Sequence, residues 1–369
     1  MIFELENSDY DKIPKLIENT NHELSIDAVI TGNVPGKIYV DNVIEPSSTL
    51  IVTPECNVVA DNANNHLFNG EIKKKLHFFD PVTCDSKEWE RKIHDIHCNV
   101  AMKKYKRRYY QFDELLYDDF LEDLDEKYTL EYVYSDNLEQ IQYENSKAIK
   151  DWYIFSNIHD VKDYCLGSYI RTGNKIVCWC LVDCIVGDRI EIGITTHKDF
   201  RRKGLGSICC AATVSACISN GIKEIGWHCV DSNIGSYTIA EKVGFKKIKE
   251  YSCFTPYPPI ENVTDLYNEQ WSEWALHYEK MNGMESVYYE QAAKCWGYAN
   301  NMEKTMQNIK CLAETKPKFL NKGFLDFGGF ASFQERIEWK NFIKTPDSRG
   351  KQQEITWLSK ITLKLVGAR

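Results

Sequence analysis

The feature that most limits what this chain can fold into is the run Arg201-Arg202-Lys203-Gly204-Leu205-Gly206, set between two segments of different periodicity. Arg189 to Thr196, before it, reads as a strand, and Ser207 to Ser219, after it, reads as a helix. A strand that passes through a basic glycine turn into a helix aims several backbone N–H groups at one point, where the helix end adds positive potential. Gly204 and Gly206 have no Cβ, so an anion can come close to the backbone there. The three cations beside them suit a diphosphate. The order has neither the Gly-Lys-Ser/Thr of a triphosphate loop nor the Gly-x-Gly-x-x-Gly of a dinucleotide turn.

The flanking segments repeat the strand–helix alternation. Ile222 to Cys229 alternates like a buried strand. Asp231, Ser232 and Asn233 are helix N-cap residues, a short helix is expected from Ile234 to Val243, and Gly244 is placed to end it. Phe245 to Phe254 reads as the next strand. This order resembles the core of the GNAT acyltransferases: strand, Arg-x-x-Gly-x-Gly loop, helix, strand, Asn-led helix, Gly-Phe, strand. Asn233, Ser236, Gly244 and Phe245 stand at the spacing of the family's Asn-x-x-Ala/Ser and Gly-Phe element. Further runs are similar to the branch that includes the zwittermicin A resistance N-acetyltransferase. They are Glu191 to His197, Trp227-x-Cys229, Tyr251, His22-Glu-Leu with Ala28, Gly36 to Asp41 and Pro46-Ser-Ser. That resemblance covers roughly residues 1 to 258. It implies a mixed α/β (α+β) fold with a GNAT-type sheet and flanking helices.

Composition narrows the class. The chain has 369 residues, 43% hydrophobic, and a net charge of −9. That charge disfavours a nucleic-acid partner and fits one that attracts cationic amines. Fourteen cysteines occur without zinc spacing or a Cys-x-x-Cys pair, so reduced thiols packed as small apolar groups are expected, and no metal. The apolar windows near Val177 to Val186 and Ile208 to Ile218 are too short to span a membrane. The start of the sequence has no signal-peptide pattern, so a cytoplasmic location is expected.

Three regions are expected. Residues 1–128 read as an α/β domain without a cofactor loop of its own, with helices at Ile13 to Asn19, Glu23 to Ile30 and Lys87 to His97. Lys103 to Phe112, basic and aromatic, is expected as an edge strand. Asp113 to Glu126, with its eight carboxylates among leucines, is expected as an amphipathic acidic helix. Residues 129–258 would be the catalytic domain, with a hairpin turning at Gly173-Asn174. After the breakers Pro256, Pro258 and Pro259, residues 259–369 read as helical. There, Ala293, Trp296, Asn300, Thr305, Ile309, Leu312 and Pro317 resemble one degenerate tetratricopeptide unit. A docked helical hairpin is the simpler reading, with a protein partner as the alternative.

The resemblance implies acetyl-CoA as co-substrate and direct transfer to a primary amine. Arg201, Arg202, Lys203, Gly204, Leu205, Gly206 and Ser207 would hold the pyrophosphate. Backbone groups of Ile194, Thr195 and Thr196 would pair with the pantetheine arm, and Asn233 and Ser236 would touch it from the next helix. Glu191 is the first candidate for the base and His228 the second. The family's usual tyrosine acid has no counterpart, because Ala240 stands there; Tyr237, a water or unassisted departure of the thiolate are the alternatives. The branch resemblance implies a small cationic aminopolyol or antibiotic as acceptor. A peptide or protein amine, and a non-catalytic CoA-binding protein, are the other readings.

Overall fold

Twelve strands among the described residues join one sheet in the order β1-β2-β3-β4-β5-β12-β6-β11-β10-β9-β8-β7. The computed structural model describes residues 1–343 except 19, 77–79, 97–99, 155–164, 261–262, 282–285 and 317–321. In chain order the elements of the sheet-bearing unit are β1 (Phe3–Glu4), α1 (Glu23–Ile30), β2 (Lys37–Val40), β3 (Ser48–Val52), β4 (Asn57–Asp61), α2 (His66–Ile72), β5 (Val82–Cys84) and α3 (Lys87–Ile96). They continue with β6 (Lys103–Phe112), β7 (Thr129–Tyr134), α4 (Ser146–Ile154), β8 (Cys165–Thr172), β9 (Lys175–Val186) and β10 (Arg189–Thr196). Last come α5 (Leu205–Ser219), β11 (Glu224–Val230), α6 (Ile234–Val243) and β12 (Phe245–Thr255).

The mixed α/β architecture with flanking helices is the one expected. The described residues of Met1–Ile96 and Lys104–Thr255 form one compact unit, and those of His97–Lys103 and Pro256–Arg369 a second. Residues of the expected N-terminal and catalytic regions therefore contribute to a single sheet.

Helix α5 explains the small residues and cysteines. Cys209, Cys210, Ala211, Ala212 and Val214 are wholly buried, so the helix is apolar all round. The Ser168 hydroxyl of β8 meets it, 2.8 Å from Thr213 Oγ1 and 2.9 Å from the Cys209 carbonyl oxygen. All described cysteines are free thiols, and every one but Cys311 is buried.

Three expectations are corrected. Lys103 to Phe112 is a strand but not an edge: β6 lies between β12 and β11. Its cations are tolerated inside the sheet because each meets a carboxylate: Lys104 with Glu90, Lys106 with Glu250, Arg107 with Glu55 and Arg108 with Asp231. Asp113 to Glu126 forms turns and irregular chain rather than a helix. Like charges four residues apart repel in a helix. The entry to the segment is also pinned elsewhere, with Asp113 N–H donating to the Gly244 carbonyl and Leu116 N–H to that of Val243. Of the expected helix at Ile13 to Asn19 only a 3-10 segment, Pro14–Leu16, forms; it follows another, Asn7–Lys12, which Pro14, with no N–H to extend it, brings to an end; residue 19 lies outside the described residues.

In the second unit, α7 (Asn268–Glu279), α8 (Val287–Tyr298) and α9 (Met302–Thr315) pack in sequence. Ala293, Ile309 and Leu312 are buried with Phe324, Phe330, Phe333 and Trp339, which makes a helical hairpin closed by an aromatic cluster. Asn300 takes a positive φ of 58° at the turn. Pro317 lies outside the described residues. No described helix is long and apolar enough to cross a membrane.

Candidate active site

Strand β10 pairs with β9 along its whole length but with β11 only at its start. The parallel register runs Arg189↔Glu224, Ile190↔Ile225 and Glu191↔Gly226, then stops. Trp227 to Val230 keep their β6 partners on the other edge of β11 but pair with no residue of β10, so β10 and β11 splay from Glu191 onward. The β9–β10 register shifts at the same point, from Glu191↔Cys184 to Ile192↔Val182, which leaves Asp183 as an extra residue on β9. One edge of Ile192 to Thr196 is thus free of β11, and a strand edge without a partner can bond an amide-bearing chain.

The basic loop stands at the open end of this cleft. After the 3-10 turn Lys198–Phe200, Arg202 takes a positive φ of 58° and Gly204, the N-cap of α5, a φ of 78°. The helix starts at Leu205, so Gly206 and Ser207 lie in its first turn rather than in the loop. First-turn N–H groups have no carbonyl inside the helix to bond. A Cβ on Gly206 would sit 2.7 Å from Ile239 Cδ1 and 3.5 Å from both Ile194 Cδ1 and Thr196 Oγ1. Glycine there brings α5, α6 and β10 together. Arg201 Nε donates to the Thr196 carbonyl at 3.1 Å, and Lys203 lies over the Phe200 ring. Among the described residues none of Arg201, Arg202 and Lys203 has an ion-pair partner, whereas Arg107, Arg108, Arg171 and Arg189 all do.

At the closed end, Glu191 Oε1 lies 3.2 Å from His228 Nε2, and these side chains are 7% and 5% exposed. The register explains the meeting. Gly226, opposite Glu191, shares a face with His228 because strand side chains alternate. A Cβ at Gly226 would lie 3.0 Å from Glu191 Cγ and 3.2 Å from Tyr109 Cε2, so only glycine lets both close on the histidine. Tyr109, paired with His228 across β6 and β11, stacks on its ring at 4.6 Å. Burial first, then the Glu191 charge, pushes the Tyr109 phenol up to about 12.

The contacts continue. His228 Nδ1 is 2.9 Å from Tyr251 Oη, which is 2.8 Å from His22 Nε2. His22 Nδ1 is 3.0 Å from Glu55 Oε2, and Arg107 Nη2 donates to Glu55 Oε1 at 2.7 Å. His22 caps α1 with a left-handed φ of 62°, and its ring stacks on His228 at 4.4 Å. The resemblance runs contain His22 and Tyr251 without giving them a role. Glu55 and Arg107 carry no motif, and only the register finds them.

The other expected site residues are distributed around the cleft. Asn233 caps α6, its side chain accepting the Ser236 N–H at 3.1 Å. The Ser236 hydroxyl accepts the buried Trp227 Nε1–H at 3.0 Å. Tyr237 lies outside the Glu191–His228 chain, its ring 4.1 Å beneath the Arg108 guanidinium. Ala240 is fully buried. Trp152, which sequence patterning misses, lays its ring on Gly193 of β10, within 2.9 Å of where a Cβ would stand, and donates to the Val182 carbonyl beside the bulge. Among the described residues no group of three His, Cys, Asp or Glu is arranged to hold a metal ion.

His22 makes stability depend on pH. Burial chiefly, with help from His228 and Arg107 and against the pull of Glu55, lowers its pKa to about 4. A depressed base binds protons more readily in the unfolded chain. Its contribution is therefore complete above the unfolded value near 6.5 and is lost as pH falls from there toward 4. The loss is on the order of 3 kcal/mol. Glu55, held well below the carboxylate range by His22 and Arg107 against its burial, adds a loss of the same sign at lower pH. Melting temperature should fall between pH 6.5 and 4, and His22→Gln should flatten that slope; equal slopes in both proteins would show that His22 is not the titrating group.

A mixed sheet with flanking helices, splayed at a buried glutamate and followed by a basic glycine turn on a helix start, is the architecture that the GNAT resemblance implies. A model of the GNAT acetyltransferase family matches residues 14–254, and the chain belongs to that family. It is 21% identical over 262 residues to the uncharacterized N-acetyltransferase YdfB of Bacillus subtilis (strain 168), covering 68% of this chain and 97% of that protein. It is also similar in fold to the GCN5-related N-acetyltransferase-like protein of Streptococcus suis 89/1591. The TM-score is 0.55 and the identity 20%, over 67% of this chain and 98% of the other.

Proposed function

We propose that this protein transfers the acetyl group of acetyl-CoA directly to a primary amine, with Glu191 as the base. The observation that carries the reading is the splay of β10 from β11, which begins at Glu191 and opens toward the basic loop. The residues fit the co-substrate. Arg201, Arg202 and Lys203, which have no ion-pair partner among the described residues, would hold the pyrophosphate with the first-turn N–H groups of Leu205, Gly206 and Ser207. The free edge of Ile194 to Thr196 would bond the amide-containing arm, and one of its N–H groups would polarise the thioester carbonyl. Asn233 and Ser236 would line the α6 side. As the amine nitrogen bonds to the acetyl carbon and the carbon–sulfur bond breaks, the Glu191 carboxylate takes the amine proton. Ala240 offers no hydroxyl to the departing thiolate, so Tyr237 of α6, a water or unassisted departure are the alternatives for that step.

We further propose a small cationic amine of the aminopolyol or antibiotic type as acceptor, the class that the zwittermicin A resistance branch implies. The net charge of −9 favours a cationic substrate. Free-thiol release from acetyl-CoA across a panel of aminopolyols, diamines and peptides tests this. Rates highest with peptides would replace the acceptor class, and tight CoA binding with no release would favour a binding protein. Removing all three loop cations (Arg201→Ala, Arg202→Ala, Lys203→Ala) is expected to raise the KM for acetyl-CoA by about 10- to 100-fold with little change in kcat. An unchanged KM would exclude the loop from phosphate binding.

A further inference from the structure

Glu191, His228, Tyr251, His22, Glu55 and Arg107 form a continuous chain of contacts whose polarity follows from its Arg107 end. The Glu55 carboxylate, bonded by Arg107, can only accept hydrogen bonds. His22 must therefore present Nδ1–H to it across their 3.0 Å contact. With its pKa lowered to about 4, His22 is neutral at neutral pH, so its Nε2 carries a lone pair. The Tyr251 hydroxyl, held protonated by burial, must donate there. Having donated its one proton, the Tyr251 oxygen can only accept from His228, which fixes a proton on His228 Nδ1. His228 Nε2 then faces Glu191 Oε1 at 3.2 Å, and that contact is attractive only with a proton in it.

Charge counting agrees independently. Glu191 and Glu55 are two largely buried carboxylates served, among the described residues, by one guanidinium. One further proton on an imidazole brings the cluster to neutrality, which a low-dielectric interior favours. We infer that Arg107, Glu55, His22 and Tyr251 are positioning residues that set the polarity of this chain and thereby hold a single proton between His228 Nε2 and Glu191 Oε1.

The inference rests on the reading of Glu191 as base and adds to it. A charge-assisted hydrogen bond from the imidazole to Oε1 orients the Glu191 carboxylate at the vertex of the splay. Oε2 remains for the amine proton; among the described residues the Cys184 thiol contacts it, at 3.8 Å. His228 keeps its own proton through the transfer. Among the described residues, Tyr109 from β6, Cys184 from β9, Tyr251 from β12 and His22 from the N-terminal half touch the pair, with Glu55 and Arg107 behind His22 and Glu55 acting on His228 electrostatically. Glu23, Glu224 and Arg189 act on Tyr109 electrostatically.

Ring-nitrogen NMR of the histidine-labelled full chain tests the inference without an acceptor, with His22→Gln and His228→Gln supplying the assignments. At pH 7.5 His22 should show Nδ1–H alone and His228 protons on both nitrogens. Glu55→Gln permits the reverse polarity and should leave His228 with Nε2–H alone; Tyr251→Phe should also remove the second proton. With the fastest amine of the panel, both variants should lose about 10- to 100-fold in kcat at unchanged KM for acetyl-CoA, and Glu55→Asp should restore part of it. A wild-type His228 that is neutral, or ring spectra unmoved by both variants, overturns the inference; the wild-type spectrum suffices if a variant does not fold. Loss of activity in Glu191→Gln together with unmoved spectra would leave the base reading intact and remove the network. Full activity in Glu191→Gln would remove the base reading, while the spectra still decide the proton's position.

Discussion

Glu191→Gln is expected to lower kcat by about 10²–10⁴-fold while leaving acetyl-CoA binding nearly unchanged. The amide keeps the shape of the side chain at the β10–β11 vertex and removes the basic oxygen. The glutamate is enclosed by His228, Tyr109 and Cys184, so few other groups can take its place. Free-thiol release and calorimetric titration with CoA separate the two effects. A variant that binds CoA and turns over at the wild-type rate would remove Glu191 from the chemistry.

Gly244→Ala is expected to destabilise the sheet-bearing unit by about 3 kcal/mol or more, lowering its melting temperature by roughly 10 °C. Gly244 ends α6 at a φ of 120°, where an L side chain is strained. A Cβ there would stand 1.7 Å from the Glu114 carbonyl oxygen, which is backbone and cannot swing aside. The same junction receives the N–H groups of Asp113 and Leu116, so the clash would pull apart the segment that covers the α6 terminus. A melting temperature within a degree or two of wild type would mean the segment 113–116 is not held there.

Local punctuation made much of the fold legible. Asn233 and Gly244 bound α6 at Ile234–Val243 as read, because a cap and a C′ glycine act within one turn of the helix. Gly173 and Asn174 turn the β8–β9 hairpin for a similarly local reason. What was not legible depends on distant partners. The cations of β6 look like edge protection until Glu55 and Asp231, far away in sequence, are seen to meet Arg107 and Arg108. The acidic run 113–126 has helical spacing, but its register is decided by backbone carbonyls at Val243 and Gly244.

The candidate site divides in the same way. Residue types and loop order pointed to Glu191 and His228, yet their pairing needs the missing side chain of Gly226 and the bulge at Asp183. Strand alternation alone leaves the face of Glu191 open, because Ile190, Glu191 and Ile192 are all buried. Tyr251 and His22 come from opposite ends of the unit, so no spacing rule links them.

The most direct test of the account is a crystal structure of the full chain with CoA. The account predicts the pyrophosphate against the backbone of residues 204–207. The pantetheine arm should lie between β10 and β11, its thiol directed toward Glu191. CoA bound outside that cleft, or with its thiol turned away from Glu191, would contradict it.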